Sequence, residues 1–342
     1  STPSSAASDV YKRQSLPGMN GDVLVAGIDD SVTIERDADG IPVITASTRK
    51  DLAFGTGFAH GQDRFFQMDL IRRQASGELS ELVGAAAVNV DKRYRFHRFR
   101  ARAQAVFDAA TDDDRALMAA YADGVNAGLA SLNPKPFEYF VLGADPEEWA
   151  ALDSLLAVYA MYVQLNDSRA TKEIRRGLAH RVLPEEVYNW MYPQGTPWDA
   201  PIMGEARELA PIPPADVYSI RHVPDEAPPA NEQGRYPLRG SNNWAVSGAL
   251  TANGRALVSN DMHLGHSVPN IWYQARLRVD GPMGRDVTGV TLPGTPFVIS
   301  GSNTHVAWGY TNSYGDWTDA VVLQPGATEG TYLTPEGERE FE

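Results

Sequence analysis

Apolar residues in the first two hundred positions follow a helical period, after one short β-hairpin. Residues 32–36 and 41–44 are β-rich runs on either side of an Asp/Gly turn, and Pro42 favours an edge position for the second strand. Thr48 or Ser47 can cap a helix over residues 51–73. Its buried side is predicted to contain Phe58, Phe65, Phe66, Met68 and Leu70.

Further helices follow in the same region. Gly77 and Gly84 bracket a short one. Thr111 precedes three aspartates and is predicted to be the N-cap of an amphipathic helix that Pro134 ends. The apolar positions that recur in this helix are Leu117, Tyr121, Val125 and Leu129. A single helix is predicted from about residue 153 to residue 183, and Pro184 opens another.

The pattern changes twice after residue 203. Residues 204–240 are rich in proline and charge and indicate a spacer. Residues 241–342 show strand-like runs and an Asn253-Gly254 turn. The strands are predicted at residues 244–246, 257–258, 271–279, 287–291, 297–299, 306–310 and 320–323. The interpretation is a disordered or foreign segment at 1–15, a mainly helical region at 16–203, the spacer, and a β-rich region that is incomplete at its C-terminus.

Composition excludes several classes of protein. The 342 residues carry a formal net charge of −14, which disfavours nucleic-acid binding. The basic run from Arg93 to Arg102 is interpreted as a solvated helix face or as internal ion pairs. No run reaches the ~18 apolar residues of a membrane span. The absence of cysteine excludes disulfides, thiolate zinc sites and a cysteine nucleophile.

The candidate chemistry lies at the junction between the spacer and the β-rich region. Gly240 and Ser241 precede an Asn-Asn-Trp strand-like run. If the bond between them is cut, Ser241 carries both a hydroxyl nucleophile and a free α-amine. An α-amine, with a reference pKa of about 7.7–8.0, is a suitable base for that hydroxyl near neutral pH. Gly240 lacks a Cβ and so permits close approach of the hydroxyl to its carbonyl. The alternative is an ordinary strand that begins at Gly-Ser.

Several stretches occur in a fixed order along the chain, namely residues 54–69, 77–79, 240–244, 260–264, 292–294 and 308–312. Together they resemble the penicillin acylase family of N-terminal-nucleophile hydrolases. The resemblance implies an α+β fold with a four-layer αββα core. It also implies a precursor that cuts itself at Gly240-Ser241 into α and β parts, which stay together as a heterodimer in the periplasm or outside the cell.

The resemblance also implies site residues. Ser241 would form an acyl-enzyme with an acyl amide such as a β-lactam or an N-acyl homoserine lactone, and no catalytic cofactor is needed. The backbone amide of Asn312 would be one oxyanion donor, and His263 would hydrogen-bond the Ser241 hydroxyl or amine. The acyl pocket is expected around Leu264, Phe297, Val298, Ser300 and Leu165. A structural calcium ion is expected at Glu173, Asp316, Asp319 and the Thr318 carbonyl.

Three other interpretations stay open. Asp261, His263 and His266 could hold a metal for a metal-dependent hydrolase, although the intervening glycine indicates an irregular turn. A Ser-His-Asp hydrolase of the α/β type would need a G-x-S-x-G elbow, which the residues around Ser241 lack. The chain could also be a non-maturing relative that acts only as a binding module. The mass of the intact protein, as one chain or two fragments, discriminates this last possibility.

Overall fold

The structure is a computed structural model, and it describes residues 15–167, 169–199, 201, 203–206, 208–219, 221, 240–281, 284–313, 315 and 317–341. The chain forms two compact units. Unit one combines residues 1–165 with residues 239–313, and unit two combines residues 166–238 with residues 314–342. None of the helices in the described ranges is long and apolar enough to cross a bilayer.

Unit one contains helices and a mixed sheet, which confirms the predicted α+β class. Its helices are α1 (Arg49–Ser76), α2 (Leu79–Val83), α3 (Val88–Arg95), α4 (Phe99–Ala109), α5 (Asp112–Ala130), α6 (Phe137–Leu142) and α7 (Asp153–Leu165), with 3-10 turns at Gly84–Ala87 and Gly248–Leu250. Its strands are β1 (Thr33–Arg36), β2 (Pro42–Ala46), β3 (Gly240–Val246), β4 (Leu257–His263), β5 (Tyr273–Val279), β6 (Arg285–Thr291), β7 (Val298–Ser302) and β8 (Ala307–Trp308).

Strands from both sides of the spacer share one sheet. Within the described residues the order is β1-β2-β5-β6-β7-β8, and β3 pairs with β4 separately. Strand β2 runs parallel to β5, whereas the other pairs are antiparallel. Helix α1 covers this sheet, because Ala59 packs with Ile44 of β2 and with Tyr273, Ala275 and Leu277 of β5.

The predicted hairpin is confirmed, but the predicted edge position of its second strand is wrong. Strand β2 lies between β1 and β5, and β1 is the edge. Pro42 is tolerated because it is the first residue of its strand, and the pairing with β5 begins only at Val43.

The predicted caps of the two long helices are confirmed. Thr48 has an extended backbone and its side chain accepts a hydrogen bond from Asp51 N, so α1 begins at Arg49. The same arrangement at Thr111, whose side chain accepts from Asp114 N, begins α5. Helix α1 ends at Gly77, which has φ 71°. Phe65 and Met68 of α1 are buried in the core together with Tyr121 and Val125 of α5, while Phe66 and Leu70 pack around them.

Four glycines allow α1 and α5 to pack unusually closely. A Cβ added to Gly57 or Gly61 of α1 would lie 2.1 or 2.2 Å from a backbone oxygen of α5. A Cβ on Gly124 or Gly128 of α5 would lie 2.0 or 2.2 Å from a backbone oxygen of α1. Each glycine costs about 1 kcal/mol of helix propensity relative to alanine. The close backbone contact therefore depends on residues that weaken each helix on its own.

His60 of α1 is a buried, neutral histidine. Its side chain is fully inaccessible, and burial lowers its pKa to about 3, with a smaller contribution from the charge of Arg64. Its Nδ1 lies 2.7 Å from Tyr121 Oη and its Nε2 lies 2.9 Å from Thr291 Oγ1. The imidazole therefore links α1 to α5 and to the end of β6.

This histidine predicts a specific pH dependence of stability. Between about pH 6.5 and pH 3 the unfolded chain binds a proton at His60 that the folded chain does not, so the free energy of unfolding falls as the pH falls. The contribution is up to about 1.4 kcal/mol per pH unit. The free energy of unfolding, measured by urea titration at several pH values in this range, should depend less steeply on pH in His60→Gln than in the wild type. His305→Gln, which replaces an exposed imidazole, should keep the wild-type slope. Equal slopes in His60→Gln and the wild type would contradict the assignment.

Unit two contains the helices α8 (Thr171–Val182) and α9 (Glu185–Met191) and a hairpin of β9 (Thr331–Thr334) and β10 (Gly337–Glu340). The prediction of one helix over 153–183 is wrong, because α7 ends at Leu165 and α8 begins at Thr171. Ala170 adopts φ 47° at this break, and the Asp167 carboxylate accepts a hydrogen bond from Lys172 N. The predicted strand at 320–323 is also wrong, since those residues are exposed and irregular.

Candidate active site

Strands β3 and β4 form a regular antiparallel ladder around the proposed cut. Gly240 lies opposite His263, Ser241 opposite Met262, and Asn242 opposite Asp261. Side chains alternate between the faces of a strand, and residues directly opposite share a face. Gly240, Asn242, Asp261 and His263 therefore belong to one face of the ladder, and Ser241 to the other.

The first face carries a histidine–carboxylate pair. His263 Nε2 lies 2.7 Å from Asp261 Oδ1, and Asn242 Nδ2 donates to the same carboxylate oxygen at 3.4 Å. An ionised carboxylate can only accept, so the contact places a proton on Nε2. A Cβ built on Gly240 would lie 3.4 Å from His263 Nδ1, so this nitrogen is next to Gly240.

The structure does not bring His263 and Ser241 into hydrogen-bond contact. Among the described residues the Ser241 hydroxyl bonds to no other side chain. The contact with His263 is missing because side chains alternate along a strand, so Ser241 and His263 lie on opposite faces of the ladder. The predicted hydrogen bond from His263 to the Ser241 hydroxyl or amine thus stays a prediction.

The Ser241 face carries a pair of asparagines that hold the segment 309–310 against the ladder. Asn243 and Asn260 are directly opposite each other. Asn243 Nδ2 donates to Gly309 O at 2.6 Å. Asn260 Nδ2 donates to Tyr310 O at 3.1 Å, and Asn260 Oδ1 accepts from Tyr310 N at 3.3 Å. Gly309 must lack a side chain here, since a Cβ would lie 2.6 Å from Asn260 Cβ.

Asn312 lies two residues beyond this segment. Its side-chain amide donates to Leu165 O at 3.1 Å, which ties the residue to the end of α7. In the part of the chain that the structure describes, its backbone N–H donates to no protein group. The predicted oxyanion donor is therefore held two residues beyond a segment that is fixed to the Ser241 face.

Sequence reasoning missed the residues that fix this geometry. Asn260 and Asp261 were part of a recognised stretch, but neither was assigned a role as the partner of Tyr310 or of His263. One signal could have found them. Two polar pairs, Asn242-Asn243 and Asn260-Asp261, interrupt runs that otherwise have the composition of strands, and in a hairpin such pairs come together.

The five predicted pocket residues have different surroundings. Phe297 is exposed, and Val298 packs against the cluster of Ile44 and Tyr273. The Ser300 hydroxyl donates to Trp308 O at 3.2 Å. Leu264 and Leu165 are half-buried. None of the five lines the cavity of about 1170 Å³ in unit one, which is bounded by α1, the hairpin β1–β2 and residues 267–274. The acyl pocket stays a prediction.

The predicted calcium ligands are in unit two, except that Asp316 lies outside the described residues. Glu173 and Thr318 line a cavity of about 210 Å³, and Asp319 is exposed. One Glu173 oxygen accepts a hydrogen bond from Ala320 N. Two cationic side chains, Lys172 and Arg176, line the same cavity, and no three acidic or histidine side chains converge in the described ranges. The described donors alone do not make a calcium site.

The alternative metal-hydrolase site gains no support from the described residues. Asp261 and His263 are in contact, but no cluster of three acidic or histidine ligands forms around them, and His266 is exposed beyond the end of β4.

Comparisons with known proteins place the chain in a family. The profile of the penicillin amidase family matches residues 31–342. Penicillin acylase 2 proenzyme from Pseudomonas sp. (strain SE83) is 32% identical over 321 residues, which are 90% of this chain and 40% of that protein. Acyl-homoserine lactone acylase QuiP from Pseudomonas aeruginosa is 31% identical over 320 residues, which are 91% of this chain and 36% of that protein.

A solved structure, thermostable penicillin G acylase from Alcaligenes faecalis in tetragonal form, is 27% identical to the chain. The match covers 52% of this chain and 98% of the solved chain, with a TM-score of 0.44. The chain spans about two fifths of the length of the curated relatives named above. Since the family profile extends over nearly all of the sequence, the chain belongs to the penicillin amidase family.

Proposed function

We propose that this chain carries the self-cleaving centre of an acylase, an enzyme that hydrolyses a linear amide bond through an acyl-enzyme on Ser241. Membership of the penicillin amidase family supports the reaction class. The similar proteins are named as acylases, and one of them is named as a proenzyme, which supports maturation by chain cleavage.

The first step is cleavage of the chain. Ser241 Oγ attacks the Gly240 carbonyl carbon, the Gly240–Ser241 C–N bond breaks, and the hydroxyl proton passes to the departing Ser241 nitrogen. Water then hydrolyses the resulting ester. The products are a Gly240 carboxylate and a Ser241 residue that has regained its hydroxyl and gained a free α-amine. Gly240 assists because no Cβ hinders the approach to its carbonyl.

The second step uses the new terminus on an external amide. The neutral α-amine accepts the Ser241 hydroxyl proton while Oγ attacks the substrate carbonyl, and the same proton is then donated to the leaving amine. Water hydrolyses the acyl ester and releases the carboxylic acid. After the cut, residue 241 is no longer held by the Gly240 peptide, and His263 is proposed to hydrogen-bond its amine or hydroxyl.

One structural observation supports this proposal most directly. The asparagine pair Asn243 and Asn260 fixes the segment 309–310 on the Ser241 face of the ladder. Two residues beyond that segment, the backbone N–H of Asn312 donates to no protein group among the described residues. A preorganised N–H donor near a nucleophile stabilises the tetrahedral oxyanion, at about 2.7–4 kcal/mol for one donor.

The proposed substrates are β-lactams, N-acyl homoserine lactones or related acyl amides. This class follows the printed names of the relatives, which are a penicillin acylase and an acyl-homoserine lactone acylase. The half-buried Leu264, which follows β4 directly, offers apolar surface for an acyl chain near the ladder.

The test begins with the intact mass of the protein expressed from its own gene. We expect two polypeptides, one of which begins at Ser241, and release of a carboxylic acid from at least one member of a panel of acyl amides. A single uncut chain that binds the panel without hydrolysing it would support the binding-module alternative and contradict the proposal.

A further inference from the structure

In each hydrogen bond around His60, the neighbouring contacts determine which atom is the donor. Thr291 Oγ1 donates its single proton to Tyr273 O at 3.0 Å, so it can only accept from His60 Nε2. Tyr121 Oη accepts a hydrogen bond from Gly294 N at 2.9 Å. The same oxygen lies 2.7 Å from His60 Nδ1. When Nε2 carries the imidazole proton, Nδ1 is an acceptor, so the Tyr121 hydroxyl donates to it. The series therefore runs from the Gly294 N–H through Tyr121, His60 and Thr291 to the Tyr273 carbonyl.

Every group in this series is satisfied and every member is deeply buried. His60, Tyr121 and Thr291 are each fully inaccessible. Exchanging donor and acceptor in one of these bonds would leave another buried polar group without a partner. Such a group costs about 1–3 kcal/mol. The geometry therefore requires the neutral imidazole with its proton on Nε2. The series lies in the interior of unit one, so groups that contact the protein surface do not alter its hydrogen bonds.

The far end of the series fixes a turn. Residues 292–295 are all buried, and Thr295 N donates to Leu292 O at 2.9 Å. Gly294 has φ 110°, and a Cβ there would lie 2.9 Å from Ala157 Cβ of α7. The turn is thus wedged between α5 and α7, and the Tyr121 hydroxyl is the acceptor for its central amide.

This turn leads directly into β7. Phe297, Val298 and Ser300 follow it, and these are three of the residues predicted to form the acyl pocket. Strand β7 also pairs with β8, which precedes the segment 309–310 on the Ser241 face. A displacement of the turn would be passed along this short connection to the proposed pocket.

We propose that His60, as the Nε2-protonated neutral imidazole, is a positioning residue that sets the place of residues 292–300 and thereby the acyl-chain preference of the enzyme. The specificity part of this inference rests on the proposed acylase function. The positioning part rests on the hydrogen bonds alone.

Tyr121→Phe is the most informative variant, because it removes the acceptor of the Gly294 amide and leaves the ring in place. We expect hydrogen exchange in the 292–300 segment to become at least about tenfold faster, since the buried amide loses its partner. Tyr139→Phe is the matched control. Tyr139 is equally buried, but its hydroxyl donates to Asp69, so exchange in 292–300 should stay as in the wild type.

Nitrogen-15 NMR of the histidine side chains reads the tautomer directly and should place the His60 proton on Nε2 at neutral pH. In the mature enzyme, Tyr121→Phe should change the ratio of kcat/KM between short and long acyl amides at least about fivefold, mainly through KM, while Tyr139→Phe should not.

A proton on Nδ1, or equal hydrogen exchange in Tyr121→Phe and Tyr139→Phe, would overturn the positioning role. An unchanged acyl preference would overturn its link to specificity. A wild-type enzyme that hydrolyses no acyl amide would refute the proposed function, while exchange and NMR still decide the positioning role.

Discussion

Replacing Ser241 with alanine is expected to abolish both cleavage of the chain at residue 240 and hydrolysis of acyl amides. Alanine has no oxygen to attack the Gly240 carbonyl, so no free α-amine forms and no acyl-enzyme can follow. Loss of the nucleophile of a serine hydrolase lowers turnover by on the order of 10⁶-fold. Intact mass should show one uncut chain, and an assay for the released amine should show background only.

The matched control for this variant is Ser247→Ala. Ser247 follows β3, and its hydroxyl accepts a hydrogen bond from Ala249 N at the start of the 3-10 turn. Cleavage and turnover should persist in Ser247→Ala. If the Ser241→Ala chain were still cut between residues 240 and 241, or still released amine at the wild-type rate, Ser241 would not be the nucleophile.

The second large effect is expected at Asp69, which holds together a buried ionic cluster in unit one. Asp69 is fully inaccessible, and Oδ1 accepts hydrogen bonds from Arg72 Nε at 2.8 Å and Arg73 Nε at 2.9 Å. Its Oδ2 accepts from Tyr139 Oη at 2.7 Å. Arg72 also binds Asp153 at 2.7 Å, and its guanidinium lies over the Trp149 ring. These carboxylates raise the pKa of Arg72 against the opposing effect of burial.

Asp69→Ala would leave two largely buried guanidinium groups with a missing counter-charge. Arg72 would keep Asp153, but among the described residues Arg73 would keep just the exposed carboxylates of Glu81 and Glu147. Removing one partner of a buried ion pair costs about 3–5 kcal/mol. We therefore expect the free energy of unfolding to fall by about that amount in denaturant titrations.

A surface pair offers the control for this prediction. Arg276 and Asp286 also form a two-pronged ion pair, with Nε–Oδ1 2.8 Å, but both side chains are more than a third exposed. Exposed pairs contribute about 0–1 kcal/mol, so Asp286→Ala should cost much less than Asp69→Ala. Similar losses in the two variants would show that burial of the Asp69 cluster does not determine its contribution.

Features that depend on neighbouring residues were predictable from the sequence. Thr48 and Thr111 cap helices through amides three residues away, and Pro184 begins a helix, so the signal is local. The proposal that Ser241 is the nucleophile also came from the sequence, because it requires only a serine after a glycine at the end of a spacer and the order of the other stretches along the chain.

Features that depend on distant partners were predicted less well. Strand β2 was expected at an edge because Pro42 is visible in the sequence, whereas its parallel neighbour β5 lies more than two hundred residues away. The run at 320–323 has strand composition but forms no strand, because composition does not supply a pairing partner. The hairpin β9–β10 was missed, since it is short and polar.

By itself the sequence determined the α+β class, the helix caps and the family. Only the tertiary structure decided which face of the ladder Ser241 occupies, that Asn243 and Asn260 hold the segment before Asn312, and that His60 is a neutral donor to Thr291. The physical reason is the range of the interactions. Caps and strand alternation act over a few residues, whereas these hydrogen bonds join residues that are 50 to 231 positions apart and form only when the core has packed.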